Sequence, residues 1–159
     1  MTGTPAALHG LAALVVKDGV ALGGLGEDTR QQALGLVWAG LEPEAMTEAA
    51  INAALKRQLA GAVRCLATDH VELRRWLCDA GWLCRDGWGR SYQRAARSAL
   101  PAARQALATA LEQAFAGVGA AAWVEGLRAA RAAERLARRR AHEAGPPAAA
   151  GPSTAGAAP

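Results

Sequence analysis

Apolar residues recur at helical spacing in three stretches in the middle of the chain, and each stretch follows a residue that can cap a helix. The caps are Asp28 or Thr29, Thr47 and Asp69. The apolar positions are, in chain order, Leu34, Val37, Trp38 and Leu41; Ile51, Leu55 and Leu59; and Leu73, Trp76, Leu77 and Ala80. Three helices are therefore predicted, and their apolar faces can close one core.

The third predicted helix runs directly into a β-hairpin. Glu72, three residues after the cap, can reach back in a capping-box-like exchange, and Gly81 suits the left-handed conformation that ends many helices. Residues 82–85 and 90–94 are short strand candidates, and the glycines and aspartate between them suit a tight loop. The sequence thus predicts a capped helix followed at once by two antiparallel strands.

Two arginines would lie opposite each other beside that loop. If the loop closes symmetrically, Leu83 pairs with Tyr92, and Arg85 faces Arg90. Like charges in these positions disfavour a hairpin unless an anion such as a phosphate lies between them. The alternative is that both side chains extend into water, as exposed charges usually do. The sequence leaves both interpretations open.

The order of the predicted elements is that of a winged helix-turn-helix. A very short strand at residues 44–46 precedes the second helix, and residues 61–68 form the turn before the third. Helix, strand, helix, turn, helix and hairpin then follow one another, with the hairpin as the wing. The predicted fold class is mainly α, with a winged helix-turn-helix-like core, a small β-hairpin and a C-terminal helical hairpin.

The C-terminal part of the chain is rich in alanine, leucine, arginine and glutamate. Gly117 and Gly119 are expected to divide it into two helices. The inward apolar positions are Leu100, Leu107, Leu111, Phe115 and Val118 around the first helix, and Trp123, Val124, Leu127 and Leu136 on the second. The predicted parts of the chain are an N-terminal segment (1–26), a winged-helix-like domain (27–97), a C-terminal helical extension (98–144) and a tail (145–159). We expect the tail to be disordered, because it lacks charge and large apolar residues.

The N-terminal segment has two interpretations. Residues 8–15 keep helical apolar spacing, whereas Asp18-Gly19 could form the turn of a small hairpin; a short helix is favoured. Glycines at 23–26 precede a helix, as phosphate-binding loops do. They lack the Walker lysine and the full dinucleotide fingerprint, so we interpret them as a flexible connector.

The arginine-rich middle of the chain resembles a known family. The residues that carry the resemblance are Thr47-Glu48, Ile51-Asn52, Leu55, Asp69, Leu73-Arg74-Arg75-Trp76-Leu77, Asp79, Gly81, Leu83, Arg85-Asp86, Gly89-Arg90 and Tyr92-Gln93-Arg94. This pattern is similar to the bacterial domain of unknown function 2087 (DUF2087), except at Cys78, where valine is usual, and Gln93, where tryptophan is usual. The resemblance covers about the middle third of the chain. It implies a winged-helix-like fold and occasional attachment to transcriptional regulators, but no established reaction, ligand or DNA site.

Composition argues against several other classes. The sequence has no run of eighteen apolar residues and no basic start followed by an apolar stretch, so we expect a cytoplasmic protein that does not span a membrane. Its three cysteines form no C-x-x-C pair, and His70 lies eight residues from Cys78, so no metal site is predicted. No arrangement of nucleophile and base or of paired carboxylates indicates an enzyme, and no cofactor is predicted.

Basic charge leads to the first functional hypothesis, a DNA-binding module that regulates transcription. Residues 41–97 carry nine basic and seven acidic side chains, and residues 98–144 carry seven and four. The nucleic-acid-binding residues would be Arg74 and Arg75 on the third helix and Arg85, Arg90 and Arg94 on the wing. Double-stranded DNA is the expected partner, with phosphate contacts added by the basic C-terminal helix. Asp69 and Glu72 at the start of the third helix argue against close reading of base edges there.

The second hypothesis is a protein-interaction or oligomerisation module on the same fold, without nucleic acid. The outward face of the third helix, with Val71, Arg75 and Cys78, would then meet a protein partner. A homodimer would form through the C-terminal helices. In this interpretation Arg74 and Arg75 are solvated or paired with nearby acids such as Asp79.

Overall fold

The computed structural model of the protein describes residues 4–145. Within that range the chain forms six α-helices and three short β-strands. They are α1 (His9–Val15), α2 (Glu27–Ala39), β1 (Met46–Thr47), α3 (Glu48–Ala60), α4 (His70–Asp79), β2 (Leu83–Arg85), β3 (Ser91–Arg94), α5 (Ala102–Phe115) and α6 (Ala120–Glu143). The fold is mainly α, as predicted, and α2 to β3 follow the winged-helix order. The tail predicted to be disordered lies, apart from Gly145, outside the described residues.

Helix α2 is the centre of the core. The apolar face predicted for it is buried, and Leu36 on the opposite side of the helix is buried as well. Both sides are covered because α1 and α5 pack against α2 in addition to α4. Gly35 permits the close approach of α5, since a Cβ atom there would lie 2.8 Å from Leu111 Cδ1. The core formed by α2 to β3 is therefore closed by elements from both ends of the chain.

Helix α2 also begins earlier than predicted. Neither Asp28 nor Thr29 caps it, because the helix already starts at residue 27. The Arg30 guanidinium fixes this start by donating to the carbonyl oxygens of Leu22 at 3.0 Å and Leu25 at 2.6 Å. The glycine-containing connector before α2 is thus bonded to the first turn of the helix.

The three strands form one antiparallel sheet with the order β1-β3-β2. Strand β1 lies at the end of the strand predicted for residues 44–46, and its Met46 pairs with Tyr92. Thr47 then caps α3 as predicted, since its Oγ1 accepts the Ala50 N–H at 3.2 Å. The sheet joins the start of α3 to the hairpin that follows α4.

The register predicted for the hairpin is wrong by two residues. Leu83 pairs with Arg94, and Arg85 pairs with Tyr92 rather than facing Arg90. The loop is shifted by one residue along the chain, because the backbone N–H of Asp86 bonds to the Ser91 oxygen at 3.0 Å and residues 87–90 make the connection. A shift of two residues keeps every side chain on its predicted face, so Leu83 is still buried. The predicted cross-strand pair of Arg85 and Arg90 is therefore wrong, and with it the argument for an anion between the two side chains.

The N-terminal segment forms the favoured short helix, α1, and not a hairpin at residues 18–19. After α1 the chain makes a parallel bridge between Val20 and Leu66. Val20 donates its N–H to the Cys65 oxygen at 2.8 Å and accepts the Ala67 N–H at 2.8 Å. The segment is therefore bonded to the turn that leads into α4. The four-part division of the chain stays a prediction, but one apolar core crosses its first two boundaries.

The C-terminal helices form the predicted pair, and their axes bend by 75° at the break. Gly117 and Gly119 have φ of +79° and +78°, values that favour glycine, so the predicted break is confirmed. Two residues predicted to face inward do not. Val118 lies in the break and is 57% exposed, and Leu136, in the second half of α6, is 49% exposed.

No single helix among residues 4–145 is long and apolar enough to cross a bilayer, although α5 and α6 taken together as a bent pair meet the length and composition criterion.

Candidate nucleic-acid interface

Helix α4 is fixed at its N-terminus by the predicted cap. Asp69 Oδ1 accepts the N–H groups of Val71 and Glu72, both at 2.8 Å. The bond from the Glu72 N–H is the main reason that the pKa of the Asp69 carboxyl lies below its ordinary value. The reciprocal half of the capping box is replaced, because the Glu72 carboxylate accepts the Thr68 hydroxyl at 2.8 Å instead. The carboxylates of Asp69 and Glu72 therefore place two negative charges at the N-terminal end of α4. This is the end that would have to approach the base edges if the helix read a DNA sequence.

The C-terminus of α4 sets the direction of the hairpin. Gly81 has φ of +77°, and the Trp82 N–H returns to the Leu77 oxygen at 2.9 Å, a helix-ending arrangement that needs glycine at this position. Trp82 is fully buried, and its indole N–H donates to Gln31 Oε1 at 2.7 Å. The hairpin thus leaves the core from an anchored residue.

Arg74 is a structural residue as well as a predicted site residue. Its Nη1 donates to Asn52 Oδ1 at 2.6 Å and to Glu48 Oε1 at 3.0 Å. Its guanidinium carbon lies 5.1 Å from the centre of the Tyr92 ring, and the side chain is only 15% exposed. One arginine therefore joins α3, α4 and β3, and its charge is balanced by a carboxylate.

Arg94 is held in a similar way at the end of α2. Its Nη1 donates to the carbonyl oxygens of Leu41 at 3.1 Å and Trp38 at 3.4 Å. Its guanidinium carbon lies 4.6 Å from the centre of the Trp38 ring. Bonds to one carbonyl group in the last turn of α2 and one just beyond it, together with an aromatic face, account for this arginine without any ligand.

The remaining three predicted residues, Arg75, Arg85 and Arg90, are exposed. None of them forms an ion pair among residues 4–145. Arg85 lies close enough to Cys78 to lower the pKa of that thiol, although burial of the thiol raises it by more. Because Cys78 is on the same face of α4 as Arg75, the outward face of α4 continues onto β2. These three arginines are available to an external anion.

The hairpin loop carries an aromatic residue that sequence reasoning did not single out. Trp88 is 83% exposed, the largest exposure of a large apolar side chain in the described range. Beside it the Asp86 carboxylate accepts the Arg90 N–H at 2.8 Å, and this bond lowers the pKa of Asp86 most. The signal in the sequence is a tryptophan between two glycines, outside any apolar period. We call Arg85, Trp88 and Arg90 the wing tip.

The outward surface of α4 and the hairpin has little net charge. Its exposed acids are Asp69, Glu72, Asp79 and Asp86, against the three exposed arginines. The region offers local positive charge at the wing tip and negative charge at the start of α4. Such a surface suits contacts to single phosphates better than a broad electrostatic attraction.

The three cysteines differ in their burial. Cys65 is buried, Cys78 is half-buried and Cys84 is exposed. Burial raises the pKa of the Cys65 thiol, which therefore stays protonated near neutral pH. No group of three potential metal ligands occurs in the part of the chain that the structure describes.

Comparison with known proteins supports the resemblance drawn from the arginine-rich motif. Residues 26–94 match the family described as an uncharacterized protein conserved in bacteria (DUF2087). Neither the curated proteins nor the solved structures yield a match. The matched range begins at the N-cap of α2 and ends with the last residue of β3. Residues 26–94 are thus similar to the bacterial DUF2087 family, and this similarity covers less than half of the chain.

Proposed function

We propose that the protein is a DNA-binding module that acts in transcriptional regulation, in the cytoplasm and without catalysis. The observation that carries the proposal is the wing tip, which holds Arg85 and Arg90 exposed and free of ion pairs within the described residues, on either side of an exposed tryptophan. Arginines on a projecting hairpin suit the phosphates that flank a groove. The Asp86 bond to the loop backbone supports the proposal further, because a fixed loop loses little entropy on binding.

The proposed contacts are to phosphates rather than to base edges. Arg75 and the wing tip supply cations, whereas Asp69 and Glu72 place carboxylates at the start of α4. Carboxylates at this end repel a phosphate backbone and prevent the helix start from entering a groove closely. Binding is therefore expected to depend on salt and to vary little with DNA sequence. Arg74 and Arg94 support this surface from within and do not contact DNA.

The test is a salt titration of binding to a random DNA duplex. The variant R85A/R90A is expected to flatten the plot of log affinity against log salt by about two, because each lost phosphate contact removes roughly 0.9. The matched control is K56A/R57A, which removes two exposed cations from α3. The control should keep the wild-type slope. Wild-type protein that shows no salt-dependent binding to any duplex at low ionic strength would rule out the proposal.

A second candidate function is protein interaction or homodimer formation through the C-terminal helices. It is favoured by a groove between α1 and α6, which is lined by small and apolar side chains such as Ala12, Val16 and Leu127 and is bordered by charged ones. The near balance of charge on the outward face of α4 also suits a protein partner. Sedimentation equilibrium over a range of protein concentrations separates the two functions. A dimer that forms without DNA, in a protein that does not bind duplexes, would favour this candidate.

A further inference from the structure

Helix α6 leaves the core about halfway along its length. Its first half is anchored, since Val124 is buried and the Arg128 guanidinium donates to the Lys17 oxygen at 2.7 Å and to Asp18 Oδ1 at 2.9 Å. Its second half is not, because every residue from 132 to 143 is exposed. A helix of these residues extends about 18 Å, at roughly 1.5 Å for each residue. We call residues 132–143 the arm.

Basic side chains are concentrated on one side of the arm. Helical spacing places Arg135, Arg138, Arg139 and His142 within an arc of about 100°, whereas Arg140 lies on the other side. None of these arginines forms an ion pair within residues 4–145, because the nearby Glu134 pairs with Arg131 at 3.0 Å. The opposite side of the arm is mostly alanine. The arm therefore presents a slim body and one cationic face.

Stabilisation of the helix itself does not account for this pattern. Cations near a helix C-terminus interact with the helix dipole, but the effect is confined to the last turn. Arg135 and Arg138 lie more than one turn before Glu143, where α6 ends. Their charge also has no acidic partner on a neighbouring element in the described range. The arginines of this face therefore have no anionic partner within the described residues, and an external anion would supply one.

We infer that the arm is a second nucleic-acid contact, which binds the phosphates of duplex DNA through the face of Arg135, Arg138 and Arg139. A helix whose opposite side is mostly alanine fits a major groove, which is about 12 Å wide. The inference deepens the proposed function and rests on it. It adds a binding surface that is connected to the winged-helix core through α1 and the 17–18 loop and is distinct from the wing tip.

Duplex DNA fits the arm better than a lipid surface does. A helix that lies on a membrane needs a continuous face of large apolar side chains opposite its cations. Among residues 132–143 the only large apolar side chain is Leu136, and alanine supplies the rest of the uncharged surface. The arm can therefore gain electrostatic energy from an anionic bilayer but can bury little apolar area in it.

The experiment measures salt slopes on one random duplex for wild type, R135A/R138A, R85A/R90A and the control K56A/R57A. Alanine keeps the helix intact, since it has the highest helix propensity, and circular dichroism checks this. We expect R135A/R138A to flatten the slope by about 1.8, so that wild-type affinity falls roughly tenfold more than the variant's between 50 and 200 mM salt. The control should match wild type.

The outcomes separate the arm from the wing tip. If R85A/R90A flattens the slope and R135A/R138A does not, the arm inference fails and the proposed function stands. If only R135A/R138A flattens it, the arm is upheld and the wing tip is not a contact. A wild-type protein without salt-dependent binding overturns both. Loss of binding to vesicles of phosphatidylcholine with phosphatidylserine in R135A/R138A, with duplex binding unchanged, would overturn the arm inference in favour of a lipid surface.

Discussion

The Asp86 carboxylate and the Arg90 backbone N–H are joined by a 2.8 Å hydrogen bond across the hairpin loop. This bond orders the segment that holds Trp88. We expect D86A to speed hydrogen exchange at the Arg90 amide, because the amide loses its only acceptor among the described residues. The matched control is D79A, which removes an exposed carboxylate from the end of α4. Equal Arg90 exchange rates in D86A and wild type would show that the loop is ordered by other means.

Two exposed carboxylates link stability to acid pH. The pKa values of Asp69 and Asp86 lie below the ordinary 3.8, because backbone N–H groups bond to the charged forms. For a lowered folded-state pKa, the stabilisation is fully present above 3.8 and is lost as the pH falls through the folded value. Unfolding free energy should therefore be level from pH 7 to about 5 and fall below 3.8. Urea titrations of wild type and D69A/D86A should converge at low pH; a constant difference between them would contradict this linkage.

Substitutions of the two adjacent arginines on α4 should differ in their effect on stability. R74A is expected to destabilise the fold by about 1–3 kcal/mol, because it removes charged hydrogen bonds to Asn52 and Glu48 from a mostly buried side chain. R75A should change stability by less than about 0.5 kcal/mol, since Arg75 is exposed. Denaturant unfolding measures both. If R75A proves as costly as R74A, the assignment of Arg74 as the structural member of the pair is wrong.

Two leucines provide a similar test of the core. L77A should cost about 2–5 kcal/mol, the usual range for a fully buried leucine. L136A on the arm should cost less than about 0.5 kcal/mol, because the side chain is half exposed. Thermal or urea unfolding of the two variants gives the comparison. A large loss in L136A would mean that the arm is covered in solution, as in a homodimer.

Trp88 offers an optical test of the wing tip. W88A should leave stability within about 0.5 kcal/mol of wild type, since 83% of the side chain is exposed. If the tip approaches DNA, duplex addition should change tryptophan emission in wild type and have a much smaller effect in W88A. The other four tryptophans are equally present in both proteins. An identical emission change in the two would place the tip away from DNA.

The sequence predicts the helices well because burial and periodicity agree in them. Leu73 and Leu77 are buried at the positions that their spacing indicates, and Asp69 and Gly81 mark the two ends of α4. The observed start of α2 differs from the prediction, and a side chain in its first turn bonds to the connector before it. Nothing local indicates that Arg30 bonds to the preceding connector.

The candidate site was predicted less well than the fold. A pattern identifies an arginine but cannot tell whether its guanidinium meets Tyr92 or Trp38, as in Arg74 and Arg94, or extends into water, as in Arg85. The hairpin loop contains a side-chain bond from the Arg90 N–H to Asp86, which the pattern of apolar residues does not indicate. Whether any of the exposed arginines binds DNA stays a prediction.

Helix α2 packs against both α1 and α5, which lie outside the range that matches the family. The matched range is therefore smaller than the part of the chain that folds around one core. A fragment cut at residues 26 and 94 would keep every residue that matches the family. It would also expose Leu36 and lose Leu111, and the backbone of Cys65 and Ala67 would lose its partner at Val20. Such a fragment should be prone to aggregation. Folding of residues 26–94 in this chain therefore depends on flanking elements that lie outside the matched range.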